Sequence, residues 1–207
     1  MVTKKRILIT AGPTWVAIDR VRVISNVSSG QTGILLAEKL RQLENEVTLI
    51  LGPVSLCCLH NKIKVLRFRF FDELKSLLVK ELKTQKYDII IHAAAVSDYK
   101  LKNEFSDKLS SDKKSLSLNL KPTEKLIDLI KKIDKNVFLV GFKFEPGLKK
   151  EFLVKEALKL MKRTKTNLTV ANTINKGKYE AYLVTDNKAS RVYTNKNSLT
   201  TALVKSL

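Results

Sequence analysis

Tyr87-Asp88-Ile89-Ile90-Ile91-His92-Ala93 is the most apolar short run in the chain. Unbroken aliphatic text of this length fits a strand covered on both faces, because a strand with one wet face would alternate. The run is therefore expected to be the central strand of a parallel sheet. Outward from it, Arg6–Thr10, Val47–Leu51, Ile63–Phe68, Val137–Phe142 and Asn167–Ala171 read as further strands. Between them lie helical patterns at Ser29–Leu43, Asp72–Thr84 and Lys149–Arg163, with Asp72 placed to cap the second. A further helix, with Thr123 as its expected cap, carries Leu126, Ile127, Leu129 and Ile130. Strand–helix alternation of this kind predicts an α/β fold: a Rossmann-like, doubly wound, mostly parallel sheet with helices on both faces. Glu180–Thr185 and Arg191–Thr194, separated by Asp186-Asn187-Lys188, add an antiparallel C-terminal hairpin.

The chain has 207 residues, 44% of them hydrophobic and 29% charged, which suits one folded domain over 1–207 and excludes a disordered or collagenous chain. No apolar run approaches the roughly 18 residues needed to span a bilayer. The basic start Lys4-Lys5-Arg6 is followed by only Ile7-Leu8-Ile9 before Ala11-Gly12-Pro13. That is too short for a signal peptide, so a cytoplasmic protein without membrane partners is expected. Cys57 and Cys58 are adjacent and have no CxxC partner, so they read as reduced thiols. The formal charge of +19 favours anionic partners, namely nucleic acid, a membrane surface or phosphorylated small molecules, without choosing between them.

Ligands of an open parallel sheet bind outside the carboxyl ends of its strands. Thr10–Thr14, Ala93–Tyr99, Gly141–Glu145 and Ala171-Asn172 all follow predicted strands and are expected to form one composite site. Ile24-Ser25-Asn26-Val27-Ser28-Ser29-Gly30-Gln31-Thr32-Gly33 opens a helix with small hydroxylated residues and two glycines. Free N–H groups there would favour a phosphate, or the segment is an ordinary helix cap. It matches neither the Walker loop nor the dinucleotide fingerprint. Tyr99–Lys114 is rich in Lys, Asn, Ser and Asp and reads as a long, mobile active-site loop.

Ile18-Asp19-Arg20-Val21-Arg22-Val23-Ile24-Ser25-Asn26-Val27-Ser28-Ser29-Gly30 resembles the signature of the phosphopantothenoylcysteine synthetases. Ala93–Tyr99 is similar to that family's AAAVxDY stretch, and Lys108-Leu109-Ser110-Ser111 to its flexible loop. Gly141-Phe142 and Ala171-Asn172 resemble its later strand ends. The resemblance implies a stand-alone synthetase that joins 4'-phosphopantothenate to L-cysteine in coenzyme A biosynthesis. It would use CTP or ATP with Mg²⁺ through an acyl-nucleotide, and CTP is the expected choice. It also implies a homodimer, no nucleic acid partner and no protein-ligated metal centre.

Carried onto matching positions, the resemblance makes Lys108 and Asn26 catalytic. Lys108 would neutralise the triphosphate, and Asn26 would hold the acyl carbonyl. Arg22, Ser28, Ser29, Gly30, Ala94 and Ala95 would bind substrate, although Arg22 has the option of pairing with Asp19. Gly12, Asp98, Phe142 and Arg163 would bind nucleotide. Lys162 and Lys165 compete with Arg163 for that role. Asp98 is alternatively a buried structural carboxylate, and Phe142 and His92 are alternatively core. Pro13, Lys143-Phe144, Asn167 and Thr173 depart from the family's text and put the nucleotide contacts in question. Two other readings compete: a basic nucleic-acid-binding protein, and a nicotinamide or flavin enzyme. The first lacks basic residues interleaved with exposed aromatics and the second lacks GxGxxG.

Overall fold

A computed structural model describes residues 4–55, 59–110, 112, 114–186 and 188–207. Cys57, Cys58, Ser111 of the loop motif, and Asn187 of the expected turn lie outside the described residues. The elements run β1 (Arg6–Ala11), β2 (Trp15–Ala17), β3 (Val23–Ser25), α1 (Gln31–Gln42), β4 (Glu46–Leu51), β5 (Lys64–Arg67) and α2 (Phe71–Thr84). They continue with β6 (Ile89–His92), β7 (Tyr99–Leu101), β8 (Leu120–Pro122), α3 (Leu126–Ile133), β9 (Phe138–Phe144) and α4 (Lys150–Thr164). The chain closes with β10 (Leu168–Asn175), β11 (Lys178–Thr185), β12 (Lys188–Ala189) and α5 (Lys196–Lys205).

The main sheet has the order β12-β11-β10-β9-β6-β1-β4-β5, with every pair from β10 to β5 parallel and the β10–β11–β12 end antiparallel. The aliphatic run forms β6 at its middle, between β1 and β9. Burial on both faces explains that run. Ile7, Ile9, Ile89 and Ile91 pack with Leu36, Ala37 and Leu40 of α1 and with Leu199 and Leu203 of α5. Leu8, Ile90 and Leu139 face Leu74 and Leu78 of α2 and Leu126 and Ile130 of α3. Helix α4 covers the β10–β11 end through Leu153, Ala157 and Met161.

Several local expectations are corrected. Asp72 does not cap α2; it lies inside the first turn and reaches Lys100 at 3.2 Å. The Glu73 carboxylate instead accepts from the Arg69 and Phe70 N–H groups, at 2.6 and 3.2 Å, satisfying donors the helix leaves open. Thr123 does not cap α3 either, because its hydroxyl donates to Ser97 O at 2.7 Å. The segment read as one long loop begins with β7, which pairs antiparallel with β8 as a small arm. Arg191–Thr194 contributes only a Tyr193–Ala181 bridge, while β11 turns back on β10 through Lys176-Gly177. The β2–β3 hairpin and α5 are additions; Asn195 Oδ1 caps α5 by accepting from Ser198 N–H at 2.8 Å. Among the described residues no helix is long and apolar enough to cross a membrane.

Helix α1 lies very close to β1, because a Cβ built on Gly33 would sit 2.4 Å from Ala11 Cβ. Gly33→Ala is therefore expected to destabilise the fold by about 1–3 kcal/mol through overpacking. Urea unfolding measures it, and an unchanged midpoint would mean that α1 can shift outward at no cost.

Candidate active site

The carboxyl ends of β1, β6, β9 and β10 lie side by side along one rim of the sheet. Between β1 and β6 the chain continues as a backbone ladder beyond the strands. Ala93 N–H donates to Thr10 O at 3.0 Å and Ala95 N–H to Gly12 O at 2.9 Å, while Ala95 O accepts from Thr14 N–H at 3.3 Å. The Asn26 side-chain amide also donates to Ala95 O, at 3.1 Å, tying the segment after β3 onto the rim. Gly12 and Gly30 both have positive φ, +82° and +67°, and a Cβ on Gly30 would lie 3.3 Å from Gly12 Cα. The structure thus brings Gly12, Asn26, Gly30 and Ala95 together, with Ala94 beside them.

Gly30 is the N-cap of α1, and no side chain caps that helix. Ser29 Oγ reaches only the Gln31 N–H, at a long 3.4 Å, and Ser28 is half-buried in the same turn. The first turn therefore presents N–H groups and a positive helix end at the rim, which favours an anion.

Beneath the ladder, the Thr10 hydroxyl pairs with His92 Nδ1 at 2.9 Å and accepts from Ala94 N–H at 3.3 Å. His92 is buried, and burial alone pushes its pKa down to about 4. It is a neutral core residue that props the Ala93–Ala95 segment. Thr14, fully buried, accepts from Ser97 N–H at 2.8 Å and continues the support.

Lys108 is exposed and has no ion pair among the described residues. Its neighbour Leu109 is held by the segment between β2 and β3. Leu109 N–H donates to Asp19 Oδ2 at 3.1 Å, and Leu109 O accepts from Arg22 Nη2 at 3.1 Å. Arg22 therefore takes the pairing option, with Nη1 at 3.1 Å from Asp19 Oδ2. Hydrogen bonds from Val21 and Leu109 N–H hold the Asp19 carboxyl below the usual range, so it stays ionised at neutral pH. Thr14 lies in the strand-end segment expected at the site and Asp19 in the signature, but the sequence assigned neither a role of its own beyond the Asp19–Arg22 pair; Asp19 two residues before Val21 is an Asx-turn pattern.

Asp98 sits just past the ladder and is not buried: its side chain is 64% exposed and pairs with Lys125. Phe142 is half-buried against the core on the α1 and α5 face, level with Val170 of β10. Arg163 is not brought to the rim. It lies in the last turn of α4 and pairs with Asp128. A helix linking parallel strands runs back antiparallel to them, so its C-terminal turn sits beside the start of the next strand. Lys162 and Lys165 share that opposite edge, where Arg163 and Lys165 line a cavity of about 570 Å³ with Lys131, Lys132 and Lys135. Among the described residues no group of three or more His, Cys, Asp or Glu could hold a metal ion.

The neutral state of His92 has a consequence for stability. Between pH 6.5 and about 4 the unfolded chain binds a proton that the folded chain refuses, so folding weakens as pH falls through that window. At pH 5 the loss from this residue is about 2 kcal/mol relative to pH 7. Urea unfolding of the parent and His92→Gln at both pH values checks it. The parent is expected to lose more stability than the variant, and equal losses would refute the assignment.

The family model of the DNA/pantothenate metabolism flavoprotein C-terminal domain matches residues 2–206. The coenzyme A biosynthesis bifunctional protein CoaBC of Thermococcus kodakarensis is 43% identical over 82% of this chain. The match covers 41% of that relative, so this chain spans under half its length. The crystal structure of the DNA/pantothenate metabolism flavoprotein from Streptococcus pneumoniae superposes with a TM-score of 0.86 at 26% identity, covering 98% of this chain and 97% of that one. The C-terminal domain of a CoaBC bifunctional protein gives a TM-score of 0.78 at 25% identity, covering 98% and 93%. With a matched model running nearly end to end and neighbours sharing the whole fold, the chain belongs to the family of DNA/pantothenate metabolism flavoprotein C-terminal domains.

Proposed function

We propose that this chain is a phosphopantothenate–cysteine ligase acting in coenzyme A biosynthesis, through an acyl-nucleotide made from CTP. The observation that carries the reading is the rim itself. Asn26, Gly12, Ala95 and the α1 N-terminus, which no side chain caps, meet there, and a loop bearing Lys108, without an ion pair among the described residues, is fastened to the segment that leads to Asn26. The relatives named for coenzyme A biosynthesis support the same chemistry.

In this reading an oxygen of the phosphopantothenate carboxylate attacks the nucleotide α-phosphorus. The bond from that phosphorus to the oxygen bridging to the β-phosphate breaks, and pyrophosphate leaves. The cysteine amine then attacks the acyl carbon, the bond to the nucleotide oxygen breaks, CMP leaves, and the amine proton passes to solvent. Both partners in the first step are anions. Lys108 offsets their repulsion as negative charge gathers on the pentacoordinate phosphorus. The N–H groups opening α1, with Ser28 and Ser29, hold a phosphate. The Asn26 amide, which has both a donor and an acceptor, holds the acyl carbonyl in the second step. Mg²⁺ arrives on the triphosphate as part of the co-substrate, bound mainly by phosphate oxygens and water. Asp98 and Phe142 are assigned to the nucleotide, the first as a reader of the base and the second as a stacking face. A homodimer is assigned from the family resemblance.

Incubation with phosphopantothenate, cysteine, Mg²⁺ and each nucleotide in turn tests the reading, with pyrophosphate expected from CTP before ATP. No pyrophosphate from any nucleotide would overturn it. Lys108→Gln is expected to slow cysteine-independent pyrophosphate release by about 10²–10³-fold while the protein stays folded. Normal release from a folded variant would remove Lys108 from its role. For Asn26→Asp the expected outcome is accumulation of the acyl-nucleotide when cysteine is present; unchanged turnover with none detected would count against its part in the second step.

A further inference from the structure

Asp19 uses its two carboxylate oxygens for different purposes. Oδ1 accepts from the Val21 and Arg22 N–H groups, both at 2.8 Å, which is a local turn. Oδ2 accepts from Leu109 N–H, 90 residues away, and from the Arg22 guanidinium. Arg22 in turn donates to Leu109 O, so one ion pair grips both polar groups of a single residue. The Asp19 side chain is 0% exposed, whereas that of Arg22 is 38% exposed. A local turn needs only the first oxygen. The second is spent on the residue that follows Lys108.

We propose that Asp19 is a positioning residue which, through Leu109, sets where the Lys108 ammonium stands over the rim. The inference rests on the catalytic reading of Lys108 given above. An exposed lysine on a polar loop loses several rotatable bonds of freedom when it engages a phosphate. Anchoring the adjacent peptide removes the backbone share of that cost before the nucleotide arrives. The ion pair suits the task because the Asp19 and Arg22 charges cancel each other and leave the Lys108 charge available.

A double-mutant cycle on pyrophosphate release without cysteine tests this, using the whole chain. Asp19→Asn is expected to slow release by about 10- to 100-fold. In a Lys108→Gln background the same change should cost less than about 2-fold, because the group it positions is gone. Equal fold losses in both backgrounds would mean that Asp19 acts elsewhere, and would overturn the inference while leaving the ligase reading intact. If Lys108→Gln alone releases pyrophosphate normally, it is the role of Lys108 that falls. A second readout is independent of turnover: tryptic cleavage after Lys108 should speed up in Asp19→Asn relative to cleavage elsewhere, and an unchanged rate would refute the grip. Should Asp19→Asn fail to fold, Asp19→Ser keeps one oxygen for the local turn and none for Leu109, and the same outcomes apply to it.

Discussion

The Ala95 peptide is the joint on which the site depends. Its N–H is bound to Gly12 O, and its carbonyl is shared by Thr14 N–H and the Asn26 side chain. Three segments remote in sequence thereby meet at a point set by ordinary sheet pairing. The register that aligns Thr10 with His92 puts Ala95 opposite Pro13, one bridge beyond the regular ladder. Because this is backbone hydrogen bonding between parallel neighbours, it costs the protein no special side chain. The ladder is complete without the Asn26 side chain, which adds one further hydrogen bond to Ala95 O.

Close packing makes the same place usable. A Cβ on Gly30 would sit 3.3 Å from Gly12 Cα, and Gly52 lies against both Gly12 and Pro13, with no room for a Cβ near the Pro13 carbonyl. Positive φ at Gly12 and Gly30 turns the chain sharply without steric penalty. Neither glycine adds a side chain at the α1 N-terminus, where Val54 Cγ1 already lies 3.3 Å from the Cβ position of each. Beneath them, apolar burial on both faces of β6 keeps His92 neutral, so the Thr10–His92 pair adds support without adding charge.

Much of this was legible in the residues. The aliphatic run at Ile89–Ile91 placed the central strand, and the alternation around it placed the sheet. Asn26, Gly12, Gly30 and Ala95 are named through the family resemblance, and each lies in a strand-end or helix-start segment that the residue pattern also marks. Local capping was read less well. Asp72 and Thr123 have the right chemistry for caps, but Glu73 and the Ser97 carbonyl offered better partners once the chain had folded. The β2–β3 and β7–β8 pairs were too short to leave a periodic pattern.

The chain's own text determined the fold class, the central place of the Ile89–Ile91 strand and the small-residue turn before α1, since these depend on burial period and on backbone freedom at single positions. Tertiary structure alone decided the rest. It joined Asp19 to Leu109, and it sent Arg163 to the edge opposite the rim because helices in such a sheet run back against the strands. It also left the Asp98 carboxylate in solvent beside Lys125. Contacts between residues far apart in sequence arise from how the strands are ordered, and a one-dimensional pattern records each partner's character without recording which partner it meets.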